Sequence, residues 1–529
     1  MPGSLAVALA AALAASPDLA ADDEACWARA SLSLRATWEA GIPSAALLFD
    51  PGRRAFAAER YLAPGDAERW LSALLRASAG IEAADWLGLR LDLDSGLLRE
   101  QRFPSPVLAC FSQGSPSGVD AAGSGGCVGM LRFALPSTAL GPAELTSNGR
   151  PVGDEASSTL FVRQAYADLS VGRAGFVHLR VGRQRLRVAD GLVYDDWGLA
   201  ADLDVDVGAI GPPLAVGLSV LYPTRGWPTP DQWANPVLAA SIDWLPSLGE
   251  SVGLWAAFAR DDAGEVGQIL RQGAVASDVV RLTASAPGSA EYVAASRRLA
   301  VLVASPPRGA ATLGWAGVSG RLDVGRRSEA RFTAGAAFGS ATSAVVRPGE
   351  LPRAVEIPVS GWAASLRWTS QLGPVSVSPF LVWLSGDDPA TEQEITGAAP
   401  QRYTGFLAVS PFLTALNLFF SGGIDEAYAD RRATASGVNS RGVLAPGAEV
   451  VWSPVRGLDL ALKAAFLWSD RVGPFGGRVY GPEVDLNVSW SPWPWLSILA
   501  EADALAMGSF FPQRALAHRL IVGIDLSTP

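Results

Sequence analysis

Charged side chains recur at alternate positions in two neighbouring segments of this chain. The candidate functional residues are Arg163, His178, Arg180, Arg183, Arg185, Asp202, Asp204 and Asp206. A spacing of two places side chains on one face of a β-strand. Opposite charges on adjacent strands would form an ion-pair ladder and a field across the space they face. The pattern predicts a surface that selects ions; the alternative is that these charges only neutralise one another in a wet interior.

The sequence lacks the motifs that mark most catalytic and cofactor sites. Gly-x-Ser-x-Gly, His-Glu-x-x-His and Cys-x-x-Cys are absent, and the two histidines are His178 and His518. The alternate aspartates lack the glycine spacing and the glutamate of a calcium loop. Neither a glycine-rich phosphate loop nor a basic and aromatic nucleic-acid surface is found. We therefore expect no enzyme, cofactor, metal or nucleic-acid partner, with a hydrolase using a serine and His178 as the alternative.

The segments that carry these charges belong to a repeated hairpin pattern. In residues 484–490 apolar and polar side chains alternate, and Pro492 and Pro494 then interrupt the strand. Similar hairpins, with aromatic residues near the strand ends, occupy residues 242–260, 367–383 and 451–469. The pattern predicts many antiparallel strands. Residues 66–76, DAERWLSALLR, are instead predicted as a short helix.

The composition favours a transmembrane β-barrel. The chain has 529 residues, 49% of them hydrophobic, and a mean hydropathy of +0.21. It nevertheless has no run of about 18 apolar residues after residue 20. We predict one all-β, antiparallel barrel of roughly 18 strands, within a range of about 16 to 20, with short periplasmic turns and long extracellular loops, the longest at residues 101–156. A soluble sandwich or propeller with a tryptophan core is the alternative.

Strand parity divides these side chains between lipid and lumen. The apolar neighbours of His178 and Arg180 are expected to face lipid, because a charge on that face is costly at mid-depth, so the two basic residues point inward. The alternate aspartates point inward by the same argument. On the strand of His178 and Arg180, we expect the parity to slip at Gly182-Arg183, at a bulge, which leaves Arg183, Arg185 and Arg187 at the rim or in the lumen.

The start of the chain and its cysteines add expectations about processing. Residues 1–21 contain an apolar stretch followed by small residues, which is typical of a signal peptide and predicts a mature barrel of residues 22–529. Cys110 and Cys127 flank a segment rich in glycine and serine and are candidates for a disulfide. Pairing with Cys26 is the alternative.

Several short segments resemble the porin-type barrels of the alginate export family. They are RQAY (residues 163–166), VGRQ (181–184), ADG (189–191), SGDDP (385–389), YTGF (403–406) and LNLFFSGG (416–423). The resemblance covers about residues 160–470. It implies a barrel of about 18 strands that exports an anionic polysaccharide through an arginine-rich pore. The final strand departs from the usual outer-membrane pattern, because LIVGIDLSTP ends without an aromatic residue.

The sequence as a whole predicts a bacterial outer-membrane channel. We expect passive passage of hydrophilic solutes, anionic ones among them, through a water-filled lumen. The expected partners are outer-membrane lipid, the barrel assembly machinery, and a solute that is either a small molecule or an anionic polysaccharide. Two alternatives stay open. One is an outlet for an anionic polysaccharide, and the other is a plugged barrel whose loops bind something at the cell surface.

Overall fold

The computed structural model describes the barrel strands and the segments that pack against them. The described residues are 26–40, 67–84, 86–97, 146–147, 150–151, 159–172, 176–209, 211–223, 236–247, 249–262, 266–267, 270, 288–294, 310–345, 353–387, 402–409, 413, 415–420, 434–437, 440–473, 476–511, 514 and 516–528. The predicted signal peptide, most of the loop at residues 101–156, and both Cys110 and Cys127 lie outside them. Cys26 is exposed and makes no disulfide with a described residue. Among the described helices, none is long and apolar enough to cross a membrane.

Within the described residues, 18 antiparallel strands form one closed sheet. The strands are β1 (Cys26–Ala40), β2 (Ala67–Ala84), β3 (Leu87–Leu97), β4 (Thr159–Val171), β5 (Val177–Val188), β6 (Tyr194–Asp206), β7 (Leu214–Tyr222), β8 (Val237–Trp244), β9 (Ser251–Asp261), β10 (Ala311–Asp323), β11 (Ser328–Val345), β12 (Arg353–Leu372), β13 (Val375–Leu384), β14 (Val443–Val455), β15 (Leu458–Trp468), β16 (Val479–Trp493), β17 (Leu496–Ala506) and β18 (Leu516–Ser527). β1 pairs with β2 on one side and with β18 on the other, which closes the barrel. The all-β barrel predicted from the sequence is confirmed.

The strands are joined by short turns at one end of the barrel and by long segments at the other. Two residues separate β2 from β3, β12 from β13, β14 from β15 and β16 from β17 at the first end. Residues 41–66, 98–158, 262–310 and 385–442 connect strands at the second end. Outer-membrane barrels are built with short turns on the periplasmic side and long loops outside. The first end is therefore the periplasmic one.

The short helix predicted at residues 66–76 is wrong. Ala67–Ala84 is β2, and it pairs with β1 along its length, from Ala40↔Ala67 to Cys26↔Ile81. Helix propensity amounts to less than about 0.7 kcal/mol per ordinary residue. A strand between β1 and β3 satisfies the backbone groups of both neighbours, so tertiary pairing overrides the local preference.

The outer surface of the barrel is apolar, with tryptophans near the periplasmic turns. Exposed large side chains on the outward parity include Leu218, Leu254, Trp362, Leu462 and Val522. Trp493 and Trp495 are stacked beside the β16–β17 turn, with ring centres 5.4 Å apart. Tryptophan collects at membrane–water interfaces because its ring is apolar and its N–H is polar. A closed antiparallel barrel with this exterior is a protein of the bacterial outer membrane.

The loop-side half of the β5–β6 hairpin leaves the barrel wall and lies inside the lumen. β5 pairs with β4 only as far as Arg183, and β6 pairs with β7 only from Leu199. Between these points, residues 184–198 stay paired with each other, and the tip of this inner hairpin contacts β10 and β11. Leu186 and Tyr194 on one of its faces are buried. The inner hairpin therefore narrows the lumen.

A second internal segment, the inner strap, consists of the described residues within 402–420. Trp315 of β10 donates its indole N–H to the carbonyl oxygen of Leu407 at 2.7 Å. The N–H of Val409 donates to the carbonyl oxygen of Val193 at 2.9 Å, so the inner strap and the inner hairpin are in contact. Both segments contribute side chains to one buried hydrophobic cluster.

Candidate functional site in the lumen

A cavity of about 190 Å³ lies between the inner hairpin, the inner strap and the wall formed by β11 to β13. Its basic side has Arg187, Arg331 and Arg367, and its apolar side has Phe380, Val382 and Leu413. Ligand sites are usually apolar pockets with a few polar groups that fix orientation. Positive charge beside an apolar wall suits an anion that also has an apolar part.

The two wall arginines of the cavity are neighbours whose charges are compensated. Arg331 and Arg367 are directly opposite in the β11–β12 register, where like charges destabilise a strand pair. Glu329 forms ion pairs with Arg331 and, at 2.7 Å, with Arg321. Glu449 of β14 binds Arg367 at 2.6 Å. The side chains of Arg331 and Arg367 are 53% and 33% exposed, so both guanidinium groups reach the lumen while carboxylates hold them in place.

Arg187 reaches the cavity because the tip of the inner hairpin is tightly turned. Ala189 and Asp190 have φ angles of 54° and 49°, in the left-handed region that costs about 1–3 kcal/mol for a residue other than glycine. Thr333 Oγ1 of β11 donates to Asp190 Oδ2 at 2.5 Å. Arg187 Nη2 donates to the carbonyl oxygen of Asp190 at 3.1 Å. Contact with the wall of β11 thus stabilises a strained turn and places Arg187 beside the cavity.

His178 and Arg180 of β5 share a face with Asp168 of β4, opposite the exposed Val181. Arg180 Nε donates to Asp168 Oδ2 at 3.2 Å. His178 Nδ1 lies 2.9 Å from Ser170 Oγ and 3.8 Å from Asp168 Oδ1. The sequence predicts an inward direction for both basic residues, and the structure puts them on the same face as a carboxylate that the sequence analysis missed.

The three aspartates of β6 lie on one face and contact the next strand and turn. Asp202 accepts a hydrogen bond from Ser219 Oγ at 2.6 Å, and Asp206 accepts one from the N–H of Gly208 at 2.9 Å. Asp204 is directly opposite His178 in the β5–β6 register. The ion pairs of His178 and Arg180 nevertheless run to Asp168 of β4, on the other side of β5 from the strand that the sequence predicted. No group of three or more acidic, histidine or cysteine side chains in the described part of the chain could hold a metal ion.

The slip of register predicted after Gly182 is not found. The β5–β6 pairing is continuous from Gly182↔Ala200 to Arg185↔Trp197. Gly182 has a φ of +137°, and a Cβ there would overlap the carbonyl oxygen of Ala165. Only glycine fits this position next to the point where the inner hairpin leaves the wall.

Arg183 and Arg185 differ in their surroundings although they share one face of β5. Arg183 Nε donates to the carbonyl oxygen of Val162 at 2.8 Å, so this arginine stays at the wall. Arg185 belongs to the inner hairpin, where its Nε donates to Asp195 Oδ1 at 2.6 Å and its Cζ is 5.9 Å from the ring centre of Trp197. The inner hairpin thus carries arginines into the lumen without any slip in register.

Arg163 occupies a bulge in β4. The β3–β4 pairing passes from Asp92↔Gln164 to Leu93↔Val162 and leaves Arg163 without a partner in the ladder. A bulge redirects the side chains around it. The side chain of Arg163 lies outside the described part of the chain.

Arg331 and Arg367 are functional candidates that the sequence analysis missed. Glu329, Arg331 and Thr333 are at alternate positions on β11, which is the same signal that identified the aspartates of β6. Many strands of this chain carry such a pattern. The cavity depends on which strands face the inner hairpin and the inner strap, and a local pattern does not contain that information.

Three solved proteins of Pseudomonas aeruginosa are similar to this chain over nearly its whole length. OpdL has a TM-score of 0.45 and 9% identity, with 95% of this chain and 98% of that chain covered. OpdG has a TM-score of 0.43 and 14% identity with the same coverage of 95% and 98%. OpdK, solved with vanillate, has a TM-score of 0.43 and 12% identity, with 95% and 99% covered. Neither a protein-family model nor a curated protein matches the sequence.

Proposed function

We propose that this chain is an outer-membrane channel for the passive passage of small anionic solutes that also have an apolar part. The observation that carries the proposal is the lumenal cavity, where Arg331 and Arg367 line the same space as Phe380, Val382 and the inner strap. Guanidinium groups bind carboxylates through charge-assisted hydrogen bonds, and the apolar wall favours the rest of such a solute. Passage requires binding weak enough for release. Glu329 and Glu449 partly compensate the charges of these arginines, which weakens the binding of an anion and so allows its release.

Export of an anionic polysaccharide is the second candidate, because the sequence resembles the alginate export family. Arginines in the lumen suit that substrate. A polymer would also have to pass the inner hairpin and the inner strap, which are packed into a buried cluster. The lumenal cavity of about 190 Å³ matches the size of a small solute and not of a polymer, so the geometry favours the small solute. The plugged, surface-binding barrel is the third candidate.

The test of this proposal is the current through the purified, refolded protein in a planar bilayer with a KCl gradient. We expect a reversal potential that indicates anion preference, and a current that sodium vanillate blocks reversibly. Arg367→Ala should lower the chloride-to-potassium permeability ratio about two- to fivefold, since it removes one partly screened charge. Arg260→Ala is the matched control, because Arg260 pairs with Asp262 on the outward parity of β9.

Each alternative predicts a different result. Cation preference would contradict the proposal and point to Asp202, Asp204 and Asp206 as the selective groups. Block by an oligomeric uronate but not by a small carboxylate would favour polysaccharide export. No current from demonstrably folded protein would favour the plugged barrel.

We also infer that residues 1–21 are removed as a signal peptide and that Cys110 and Cys127 form a disulfide. The apolar stretch and small residues of the first segment support the cleavage, and the spacing of the cysteines supports the pairing. Intact mass of the protein from the outer membrane, before and after reduction and alkylation, checks both. A mass that retains residues 1–21 would rule out the cleavage.

A further inference from the structure

Asn417 of the inner strap is fully buried and hydrogen-bonded to four consecutive strands, β15 to β18. Its partners are Lys463 Nζ, which donates to Oδ1 at 3.0 Å; Asn487 Oδ1 and Asp503 Oδ1, which accept from Nδ2 at 3.0 and 2.8 Å; Asp485 Oδ2, which accepts from the backbone N–H at 2.9 Å; and Arg519 Nη2, which donates to the backbone carbonyl oxygen at 3.2 Å. Both the side chain and the backbone of this one residue therefore fix the inner strap to the wall.

The wall that receives Asn417 is a buried network with more acidic than basic groups. Its charged members are Glu483, Asp485, Glu501, Asp503, Lys463 and Arg519, each at most 7% exposed. Buried charges are costly unless they are paired and hydrogen-bonded. An amide side chain donates to carboxylates and accepts from an ammonium group at the same time. Asn417 thus satisfies groups of both signs, which neither an aspartate nor an alanine at this position would do.

The same short segment forms part of the apolar side of the lumenal cavity. Leu413 and Ala415 line the cavity, and Leu413 is only 7% exposed. Immediately after Asn417, the N–H groups of Leu418 and Phe419 donate to Glu483 at 2.6 and 3.0 Å. The inner strap is therefore bound to β15–β18 by its polar groups while its apolar side chains face the arginines of β11 and β12.

We propose that Asn417 is a positioning residue that sets the specificity of the cavity. By binding the inner strap to β15–β18, it holds Leu413 and Ala415 at the separation from Arg367 that admits a small anion with an apolar part. The choice of ligand rests on the proposed channel function. The position of the inner strap can be measured without it.

The first measurement follows the position of the inner strap by thiol labelling. Leu413→Cys is introduced into the full-length protein after its three native cysteines are replaced by serine, and the rate of reaction with a water-soluble maleimide is measured in the refolded barrel. We expect slow labelling with Asn417 present. Asn417→Ala should speed it at least about tenfold, because several hydrogen bonds to charged groups are lost together. Ser219→Ala, which deletes a hydrogen bond to Asp202 on another part of the wall, is the matched control and should leave the rate unchanged.

The second measurement is block of the bilayer current by sodium vanillate. Asn417→Ala should weaken the block about tenfold and raise the unblocked current, while the temperature of barrel unfolding changes little, since the 18-stranded wall remains paired. Asn417→Asp should have the same effect, because it places a further carboxylate beside Asp485 and Asp503. Adding Asp503→Asn exchanges the amide and the carboxylate across that hydrogen bond and should restore part of the block. A residue with a merely structural role would not show this rescue.

The outcomes separate this inference from the proposed function. Unchanged labelling and unchanged block in both Asn417 variants, with a wild-type channel that conducts, would overturn the role of Asn417 and leave the channel standing. Faster labelling in a wild-type protein that never conducts would support the positioning role and reject the channel. If Asn417→Ala does not refold, Lys463→Met removes one of the same hydrogen bonds and should speed labelling in the same direction; an unchanged rate there would count against the inference.

Discussion

A guanidinium group in a water-filled pore acts on a passing ion through the charge that its neighbours leave uncompensated. Arg367 is bound to Glu449 at 2.6 Å, and Arg331 shares Glu329 with Arg321. These carboxylates are less exposed than the arginines they bind: Glu449 is 15% exposed, against 33% for Arg367. The pairs therefore present a guanidinium group to the lumen and keep the countercharge behind it. The preference of the channel for anions therefore depends on these carboxylates as well as on the arginines.

Glu449→Gln tests this dependence. Glutamine can still accept a hydrogen bond from Arg367 but removes the compensating charge, so we expect the chloride-to-potassium permeability ratio to rise about two- to fivefold. Reversal potentials in a KCl gradient measure the change, which should be smaller at high salt because of screening. Asp262→Asn, in the outward Arg260 pair, is the control. An unchanged reversal potential in Glu449→Gln would show that Arg367 does not act on the permeating ions.

A β-hairpin that loses its neighbours on both sides is marginally stable by itself and must be held by other contacts. The inner hairpin, residues 184–198, has left β4 and β7 in this way. Among the described residues, its attachments include the buried face with Leu186 and Tyr194, the backbone hydrogen bond to the inner strap, and the hydrogen bond from Thr333 to Asp190. The width of the lumen therefore depends on how firmly the tip of the inner hairpin is attached to β11 and to the inner strap.

Thr333→Val tests the attachment of the inner hairpin to β11 most directly. Valine nearly matches threonine in shape but cannot donate to Asp190, so a hydrogen bond to a carboxylate worth about 1.5–3 kcal/mol is lost. We expect larger and more frequent fluctuations of the single-channel current, since the tip detaches more often. Thr312→Val, at an exposed outward position of β10, should behave as wild type. Identical current noise in both variants would mean that the buried face alone holds the inner hairpin.

The whole molecule is a wall with lipid on one side and a partly filled lumen on the other. Outward side chains such as Leu254 and Val522 are exposed because bilayer takes the place of a protein core around them. The interior contains buried aromatic and charged groups instead, held by the two internal segments. Tryptophan side chains occur in both surroundings: Trp493 and Trp495 lie at the membrane interface, and Trp315 lies in the interior.

Fluorescence quenching by lipid can measure which of these tryptophans contact the membrane. Among the chain's 18 tryptophans, Trp493 and Trp495 are about half exposed at the periplasmic end, whereas Trp315 is fully buried inside. In liposomes with lipids brominated near the headgroup, Trp493→Phe together with Trp495→Phe should lower the quenchable part of the tryptophan fluorescence. Trp315→Phe should lower only the unquenched part. Equal effects of the two replacements would contradict the orientation of this wall in the membrane.

The alternation of apolar and polar side chains along this chain was sufficient to predict a transmembrane β-barrel. An alternation of every second residue can be recognised from a short stretch of sequence. It recurs along every strand because lipid excludes polar groups from the outward face. The outward tryptophans beside the turns follow from the same cause. The short helix at residues 66–76 was mispredicted because local propensity is weak there and the pairing of β2 with β1 decides the conformation.

The tertiary structure alone decided which charges meet. Asp190 and Thr333 are 143 residues apart, and Asn417 and Arg519 are 102 residues apart. Parity assigns a side chain to one face of its strand, but it cannot show that residues 184–198 leave the wall or that the inner strap contacts both β10 and β15–β18. Those paths depend on the fit of a whole segment against distant strands. The sequence by itself determined an outer-membrane barrel with a charged lumen, and the long-range packing decided that Arg187, Arg331 and Arg367 share one cavity.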